Sequence, residues 1–136
     1  MIVSPDAGFV SGAKRLQILL KLKPSLAVIE KVRPKPNVAI AKRLQGDVRG
    51  KDVLIVDDMI DTGGSLSEAV KLVSQKGARS IRPAATHGIF SGNAGDRLLW
   101  MPVEEILITN TLLQVRDKKI HVFDVTPLIR DALAQT

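Results

Sequence analysis

The hydrophobic pattern is most regular in the middle of the chain. Residues 53–56 are four consecutive apolar positions, and such a run predicts a strand buried on both faces, as in a parallel sheet. A helical period follows, with apolar residues on one face at Leu66, Ala69, Val70 and Val73. Gly77 is a plausible helix stop. This part of the chain therefore predicts a strand, a short polar loop and a helix, in that order.

The same strand–helix alternation extends along the chain. Further strands are predicted at residues 1–3, 26–29, 80–86, 103–109 and 120–123. A first helix is predicted over residues 9–22, and a last helix is predicted to be capped by Thr126, with an apolar face of Val125, Ile129, Ala132 and Leu133. Pro83 is expected to delay strand pairing until the residues beyond it. The pattern predicts an α/β fold with a mainly parallel sheet of roughly five strands and flanking helices.

Composition narrows the class of protein. The chain has 136 residues and 45% apolar content, which suits one packed domain and argues against disorder. It has no cysteine, so disulfides and thiolate metal sites are excluded. No apolar run approaches the roughly 18 residues of a membrane span, and no signal peptide is visible. We therefore expect a soluble, cytoplasmic protein.

The polar stretch after residue 56 has the composition of a ligand site. Asp57 and Asp58 offer acceptors for sugar hydroxyls or for a metal, and in open α/β sheets ligands bind beyond the carboxyl ends of the strands. Residues 61–65, here called the glycine loop, bring backbone N–H groups to a helix N-terminus, which attracts phosphate. Ser65 and Glu68 have capping-box spacing. Ribose 5-phosphate would bind both the aspartate acceptors and the loop donors. The alternative without a ligand is a capped turn with solvated aspartates.

Four segments together resemble one family. VLIVDDMIDTGGS, residues 53–65, resembles the phosphoribosyl-diphosphate (PRPP) binding loop of the type I phosphoribosyltransferase fold, in the form found in ribose-phosphate diphosphokinase. SPDAG, residues 4–8, resembles that family's SPDxGG motif. EKVRPKPN, residues 30–37, resembles its DKRRPxPN flap, and residues 86–94 resemble its THxxFSGNA segment. Phosphoribosyltransferases in general lack the last of these segments.

The resemblance implies a fold, an activity and a set of site residues. It implies that residues 1–136 form a single type I phosphoribosyltransferase-like domain, the C-terminal half of a two-domain synthetase whose ATP-binding N-terminal half is absent. It implies diphosphoryl transfer from ATP to ribose 5-phosphate with magnesium, in a homo-oligomer that is hexameric in the family. This chain is expected to be inactive alone. The implied roles are catalysis by Lys31 and Arg33, metal placement by Asp6, and ribose 5-phosphate binding by Asp57, Asp58, Asp61, Thr62, Gly63, Gly64 and Ser65.

Departures from the family pattern keep alternatives open. Phe9 stands where the family has a second glycine, Ser11 and Gly12 lie where a basic residue is usual, and Val32 replaces an arginine. These changes would suit a non-catalytic regulatory subunit of a synthetase. A PRPP-consuming phosphoribosyltransferase is a second alternative, which the THGIFSGNA segment argues against. The net charge of +6 suggests a nucleic-acid binder, but few aromatics and the lack of an RNA motif make that reading unfavourable.

Overall fold

The computed structural model describes residues 1–21, 24–32, 41–114 and 117–135, and of Val32 and Ala41 it describes the backbone alone. The described elements alternate between strands and helices. In chain order they are β1 (Ile2–Ser4), α1 (Val10–Leu19), β2 (Leu26–Val32), β3 (Ala41–Gln45), β4 (Asp52–Ile60), α2 (Gly64–Gln75), β5 (Ser80–Gly88), α3 (Ala94–Leu99), β6 (Ile106–Thr109), β7 (Ile120–Phe123) and α4 (Thr126–Ala134).

The described strands form one sheet in the order β3-β2-β1-β4-β5-β6-β7. Every neighbouring pair is parallel except β2 and β3, which are antiparallel. This confirms the predicted α/β fold with a mainly parallel sheet. The expected strand number was too low, because β3 lies in a stretch where no strand was predicted. β3 reads AKRLQ and lies at the sheet edge, where polar residues are tolerated and leave no apolar run to detect.

Helices cover the sheet on both faces. One face carries the larger core, where Val3, Ile29 and Ile55 pack with the apolar stripe of α2 and with Leu98 of α3. The opposite face is covered by α1, whose Ala13 packs with Ile2 and Val56. Alternate strand residues point to opposite faces, so β1 and β4 contribute to both cores. Within the described residues, no helix is long and apolar enough to cross a membrane.

The strand and helix around the glycine loop end at different residues from those predicted. β4 continues to Ile60, because its parallel register with β5 extends as far as Ile60↔Gly88. α2 begins at Gly64 after the N-cap residue Gly63, so Ser65 lies inside the first turn and the predicted capping box is wrong. The predicted stop at Gly77 is confirmed. Gly77 has φ of 85°, and it donates to Ser74 while Ala78 donates to Val73, as in a Schellman motif.

Pro83 does not delay pairing as expected. The register of β5 with β4 runs through Ile55↔Pro83 without interruption. The carbonyl of Ile81 accepts a hydrogen bond from the N–H of Glu104, on the β6 side. Pro83 has the same strand parity, so its missing N–H also faces that side and removes no bond to β4.

The far edge of the sheet departs most from the predicted burial. No α4 residue is buried, and Ile129, Ala132 and Leu133 of the predicted apolar face are exposed, whereas Val125 is half-buried. The helix starts at Thr126 itself, after the N-cap residue Val125, and the Thr126 N–H donates to the Asp124 carboxylate. Thr126 is therefore the first helical residue and not the cap.

Candidate ligand site at the ends of β1 and β4

The topology places a crevice between β1 and β4. β1 pairs with β2 on one side and with β4 on the other, and the strand order runs in opposite directions from this pair. In open parallel sheets such a switch point is where ligands bind, beyond the carboxyl ends of the strands. Asp6 follows β1 closely, while Asp57 and Asp58 lie near the end of β4. The fold therefore gathers these three predicted acidic residues at one edge of the sheet.

Of the three acidic residues at this edge, Asp57 lines a cleft together with the glycine loop. This cleft has a volume of about 150 Å³, and Asp57 lines it together with all five loop residues. Asp58 does not line it, because neighbouring strand residues point to opposite faces. Partial burial raises the pKa of Asp57 to about 6; the charges of Asp58 and Asp6 add to the increase, and the Asp58 N–H opposes it. The Asp57 carboxylate is therefore close to its titration point near neutral pH.

Asp6 has a local structural role as well as a place in the crevice. Its Oδ1 accepts hydrogen bonds from the N–H groups of Gly8 at 2.7 Å and Phe9 at 3.2 Å, at the entry to α1. These N–H groups precede α1, whose N-cap residue is Phe9, so Asp6 closes a turn before the helix and does not cap it. The charge of Asp6 also contributes to the raised pKa of Asp57.

The acidic residues fit only one mode of magnesium binding. Across the described ranges, no group of three or more His, Cys, Asp or Glu side chains could hold a metal alone. Magnesium commonly binds one or two protein carboxylates and completes its shell with water and substrate phosphates. Asp6 and Asp57, which the fold places at the same end of the sheet, fit that mode, in which the substrate supplies the remaining ligands.

The glycine loop has the backbone geometry of an anion cradle. Gly63 has φ of 72°, a left-handed conformation that L side chains adopt only with strain. This turn directs the chain into α2, whose first N–H groups have no partner within the helix. Inside the loop, the Gly64 N–H contacts Thr62 Oγ1 at a long 3.5 Å. The loop donors therefore remain available for a ligand.

Residues 88–98, here called the bracing segment, contact Ile60 and the first two residues of the glycine loop. The N–H groups of Ile89 and Phe90 both donate to the Ile60 carbonyl, at 2.9 and 3.1 Å. The Ser91 hydroxyl donates to the Asp61 carboxylate, and Arg97 Nη1 donates to the Thr62 carbonyl at 2.9 Å. Neither α3 nor these contacts were predicted from the sequence, although the THGIFSGNA string lies next to them. The Asp61 side chain is thus engaged by the protein itself.

A second polar network lies at the ends of β5 and β6. The Nδ1 atom of His87 is 2.8 Å from Thr111 Oγ1, and the hydroxyls of Thr109 and Thr111 both donate to the Thr86 carbonyl. His87 is therefore hydrogen-bonded within the protein. This agrees with the commoner structural role of an isolated histidine.

Lys31 belongs to a different cleft from the glycine loop. It lies in β2 opposite Lys42 of β3, so this part of the predicted flap is strand. Lys31, Lys42 and Lys71 line an open cleft of about 420 Å³ beside α2. Lys42 Nζ is 2.6 Å from Glu68. Arg33 lies outside the described residues, and the roles of Lys31 and Arg33 stay predictions.

Two of the departures from the family pattern are in contact. A side-chain carbon at Gly12 would lie 2.5 Å from the Phe9 ring. The Phe9 ring therefore occupies the space beside Gly12 that the usual basic residue would need. Val32 is described by its backbone alone, and the effect of that change stays a prediction.

Comparisons with known proteins agree with this geometry. The family model described as the phosphoribosyl synthetase-associated domain matches residues 14–136. A ribose-phosphate pyrophosphokinase from Aquifex aeolicus is 44% identical over 135 residues, which are 98% of this chain and 43% of the relative. The phosphoribosylpyrophosphate synthetase structure from Mycobacterium smegmatis is 37% identical, with a TM-score of 0.88, over 98% of this chain and 43% of that one.

A more distant structure supports the fold alone. The orotate phosphoribosyltransferase from Aeropyrum pernix is 18% identical, with a TM-score of 0.61, over 99% of this chain and 65% of that one. The chain spans less than half the length of the Aquifex relative. Which part of that length it represents stays a prediction. Since the family model matches nearly the whole chain, the chain belongs to the phosphoribosyl synthetase-associated domain family.

Proposed function

We propose that this chain forms the ribose 5-phosphate half of a ribose-phosphate diphosphokinase. The reaction transfers the diphosphoryl group of ATP to the anomeric hydroxyl of ribose 5-phosphate and releases PRPP and AMP. The observation that carries the proposal is the cleft in which Asp57 and the glycine loop lie side by side at the switch point of the sheet. A sugar phosphate matches this pairing of acceptor and donors.

Each part of the cleft has a separate task. The backbone N–H groups of residues 61–65 hold the 5-phosphate at the start of α2, where the helix dipole favours negative charge. The Asp57 carboxylate accepts hydrogen bonds from the ribose hydroxyls. Asp58 is assigned the same role, although its side chain does not line the cleft. Because phosphoryl-type transfer depends on positioning and on charge neutralisation, fixing the sugar accounts for much of the catalysis.

The remaining components complete the proposal. Asp6, with Asp57, places a magnesium ion, which supplies charge neutralisation on the ATP phosphates when bound. Lys31 and Arg33 stabilise charge on the transferring group from the β2 side. The protein works in the cytoplasm as a homo-oligomer, and the 136-residue chain alone makes no PRPP. The described residues offer one glycine cradle, which the sugar phosphate occupies.

Calorimetric titration of ribose 5-phosphate into the chain and into an Asp57→Asn variant tests the proposal. A hydrogen bond to a charged group contributes about 1.5–3 kcal/mol, so the variant should bind at least tenfold more weakly. Asp131→Asn, on exposed α4, removes the same charge away from the cleft and should bind normally. Equal affinity in a folded Asp57→Asn variant would contradict the proposal.

One observation favours a second candidate, a non-catalytic regulatory subunit. The packing of Phe9 against Gly12 removes the room for a basic residue that the family pattern has there. Mixing the chain with an active synthetase distinguishes the two functions. A regulatory subunit would copurify with the enzyme and change its rate, even when Asp57 is replaced by Asn.

A further inference from the structure

Three consecutive residues, the last of β4 and the first two of the glycine loop, are each held by the bracing segment. The Ile60 carbonyl accepts two backbone N–H groups, the Asp61 carboxylate accepts the Ser91 hydroxyl, and the Thr62 carbonyl accepts Arg97. Within the loop, by contrast, the Gly64 N–H reaches Thr62 Oγ1 only at 3.5 Å. The loop conformation therefore depends on contacts from residues far away in sequence.

Residues of the bracing segment also pack against the two glycines of the loop. A side-chain carbon at Gly63 would lie 3.6 Å from Leu98, which is 2% exposed, and one at Gly64 would lie 3.3 Å from Arg97 Nη1. The buried Leu98 thus packs against Gly63 on the side that faces the core. Arg97 packs against Gly64 on the solvent side. Two successive residues of α3 contact the turn that opens α2.

The bracing segment itself adopts a strained conformation. Phe90 has φ of 54° and is, within the described ranges, the only residue other than glycine with positive φ. Such strain persists where surrounding contacts hold it, and it is concentrated at functional sites. Here the ring of Phe90 packs over Gly88 and its N–H donates to Ile60. The strained turn carries the chain from the end of β5 back over the glycine loop.

We infer that Ser91 and Arg97 are positioning residues that hold the glycine loop in its phosphate-binding conformation before the ligand arrives. The inference rests on the proposed function for its ligand, and it assigns a role to the THGIFSGNA segment. Ser91 acts through Asp61, whose carboxylate would repel a phosphate if it were free to move among the loop donors. Arg97 acts through the Thr62 carbonyl. A preformed cradle binds more tightly because less ordering is needed on binding.

The first arm of the test needs no ligand. Amide hydrogen exchange of Ser67 and Phe90, whose N–H groups donate to the Gly63 and Ile60 carbonyls, reports loop opening when it is followed by NMR in the 136-residue chain. Ser91→Ala and Arg97→Gln should accelerate exchange at these amides by about tenfold, since each loses a hydrogen bond involving a charged group. Amides of β1 and β4 should be unaffected. Arg15→Gln on exposed α1 loses the same charge on the other face of the sheet and should leave exchange at Ser67 and Phe90 unchanged.

The second arm asks whether the effect passes through the named contacts. Ser91→Thr keeps the hydroxyl and should restore slow exchange. In a double-mutant cycle, Asp61→Ala and Ser91→Ala together should raise the exchange rates no more than either change alone. Both changes remove the same hydrogen bond. Ribose 5-phosphate affinity should fall about tenfold in Ser91→Ala and recover in Ser91→Thr.

The outcomes separate this inference from the proposed function. Unchanged exchange at Ser67 and Phe90 in both Ser91→Ala and Arg97→Gln would overturn the inference, whatever the chain binds. Additive effects in the Asp61 and Ser91 cycle would overturn the role of Ser91. Failure of the unaltered chain to bind ribose 5-phosphate would count against the proposed function, while the exchange measurements would still decide whether the segment braces the loop.

Discussion

The glycine loop and the β2–β3 arm, which is formed by β2 and β3, both contain predicted ligand-binding groups. They differ in the kind of group and in how it is positioned. The loop presents backbone N–H groups, and its shape is fixed by bonds from residues 89–97. The arm presents the side chain of Lys31 from an edge pair of antiparallel strands, tied to α2 through Lys42 and Glu68. Backbone chemistry suits ground-state binding, whereas a long cationic side chain suits charge that develops during transfer.

The largest expected effect separates the arm from the loop. Lys31→Ala should lower turnover by about 100-fold or more, because the proposed function assigns this cation mainly to the transition state. Ribose 5-phosphate affinity should change little, since Lys31 does not line the loop cleft. The measurement uses the Aquifex aeolicus relative with its matching region replaced by this chain. Lys14→Ala, on exposed α1, is the charge-matched control. Near-normal turnover would show that the arm is not catalytic.

The second prediction concerns a substitution that strains the backbone of the glycine loop. Gly63→Ala places a side chain at φ of 72°, which costs about 1–2 kcal/mol in folding stability. Because the N–H groups shift with the turn, ribose 5-phosphate affinity should fall about tenfold or more. Gly95→Ala is a matched control in α3, where a side-chain carbon would meet nothing within 4 Å. That change should stabilise the chain slightly and leave binding unaltered. Equal behaviour of the two variants would refute the cradle.

The comparison of the loop with the arm also explains which features could be predicted from the sequence. The strand before Asp57, the apolar stripe of α2 and the stop at Gly77 are local patterns, and each was predicted because the information lies within a few residues. The polar edge strand β3 has no apolar run, so it was missed. The bonds from Ser91 and Arg97 depend on β4 and β5 ending side by side, which periodicity cannot show. Exposure of α4 likewise depends on what lies against it.

The third prediction concerns the pH dependence of the cleft. The pKa of Asp57 rises from 3.8 to about 6 on folding, so the native chain holds this proton more tightly than the unfolded chain. Folding stability should therefore fall as pH rises between 3.8 and about 6. Ribose 5-phosphate affinity should rise with pH through the same region, because the ionised carboxylate is the better acceptor.

The Asp57→Asn variant isolates this contribution. The ligand phosphate also titrates near pH 6, so part of the affinity change belongs to the ligand and should persist in the variant. Urea unfolding at pH 5 and pH 7 should show a smaller loss of stability in the variant than in the unaltered chain. If both chains respond identically to pH, the assigned titration of Asp57 is wrong.

The smallest expected effect tests how the arm is anchored. Lys42 lowers the pKa of Glu68 through a direct hydrogen bond, and the side chains are 17% and 64% exposed. Exposed ion pairs contribute about 0.2–1 kcal/mol, and Glu68→Gln should cost no more than this in urea unfolding. The contribution is present above the ordinary glutamate pKa and is lost as pH falls through the lowered one. High salt should shrink it, because exposed charges are screened.

Binding sharpens the contrast between the two anchors. The glycine loop is held by bonds to the bracing segment, so ribose 5-phosphate affinity should be the same in Glu68→Gln and in the unaltered chain. Ser67→Ala, on the preceding helical position, is the matched control for a surface change in α2. A tenfold loss of affinity in Glu68→Gln, without a matching loss of stability, would mean that the arm and the loop are one coupled unit and that their separate roles must be abandoned.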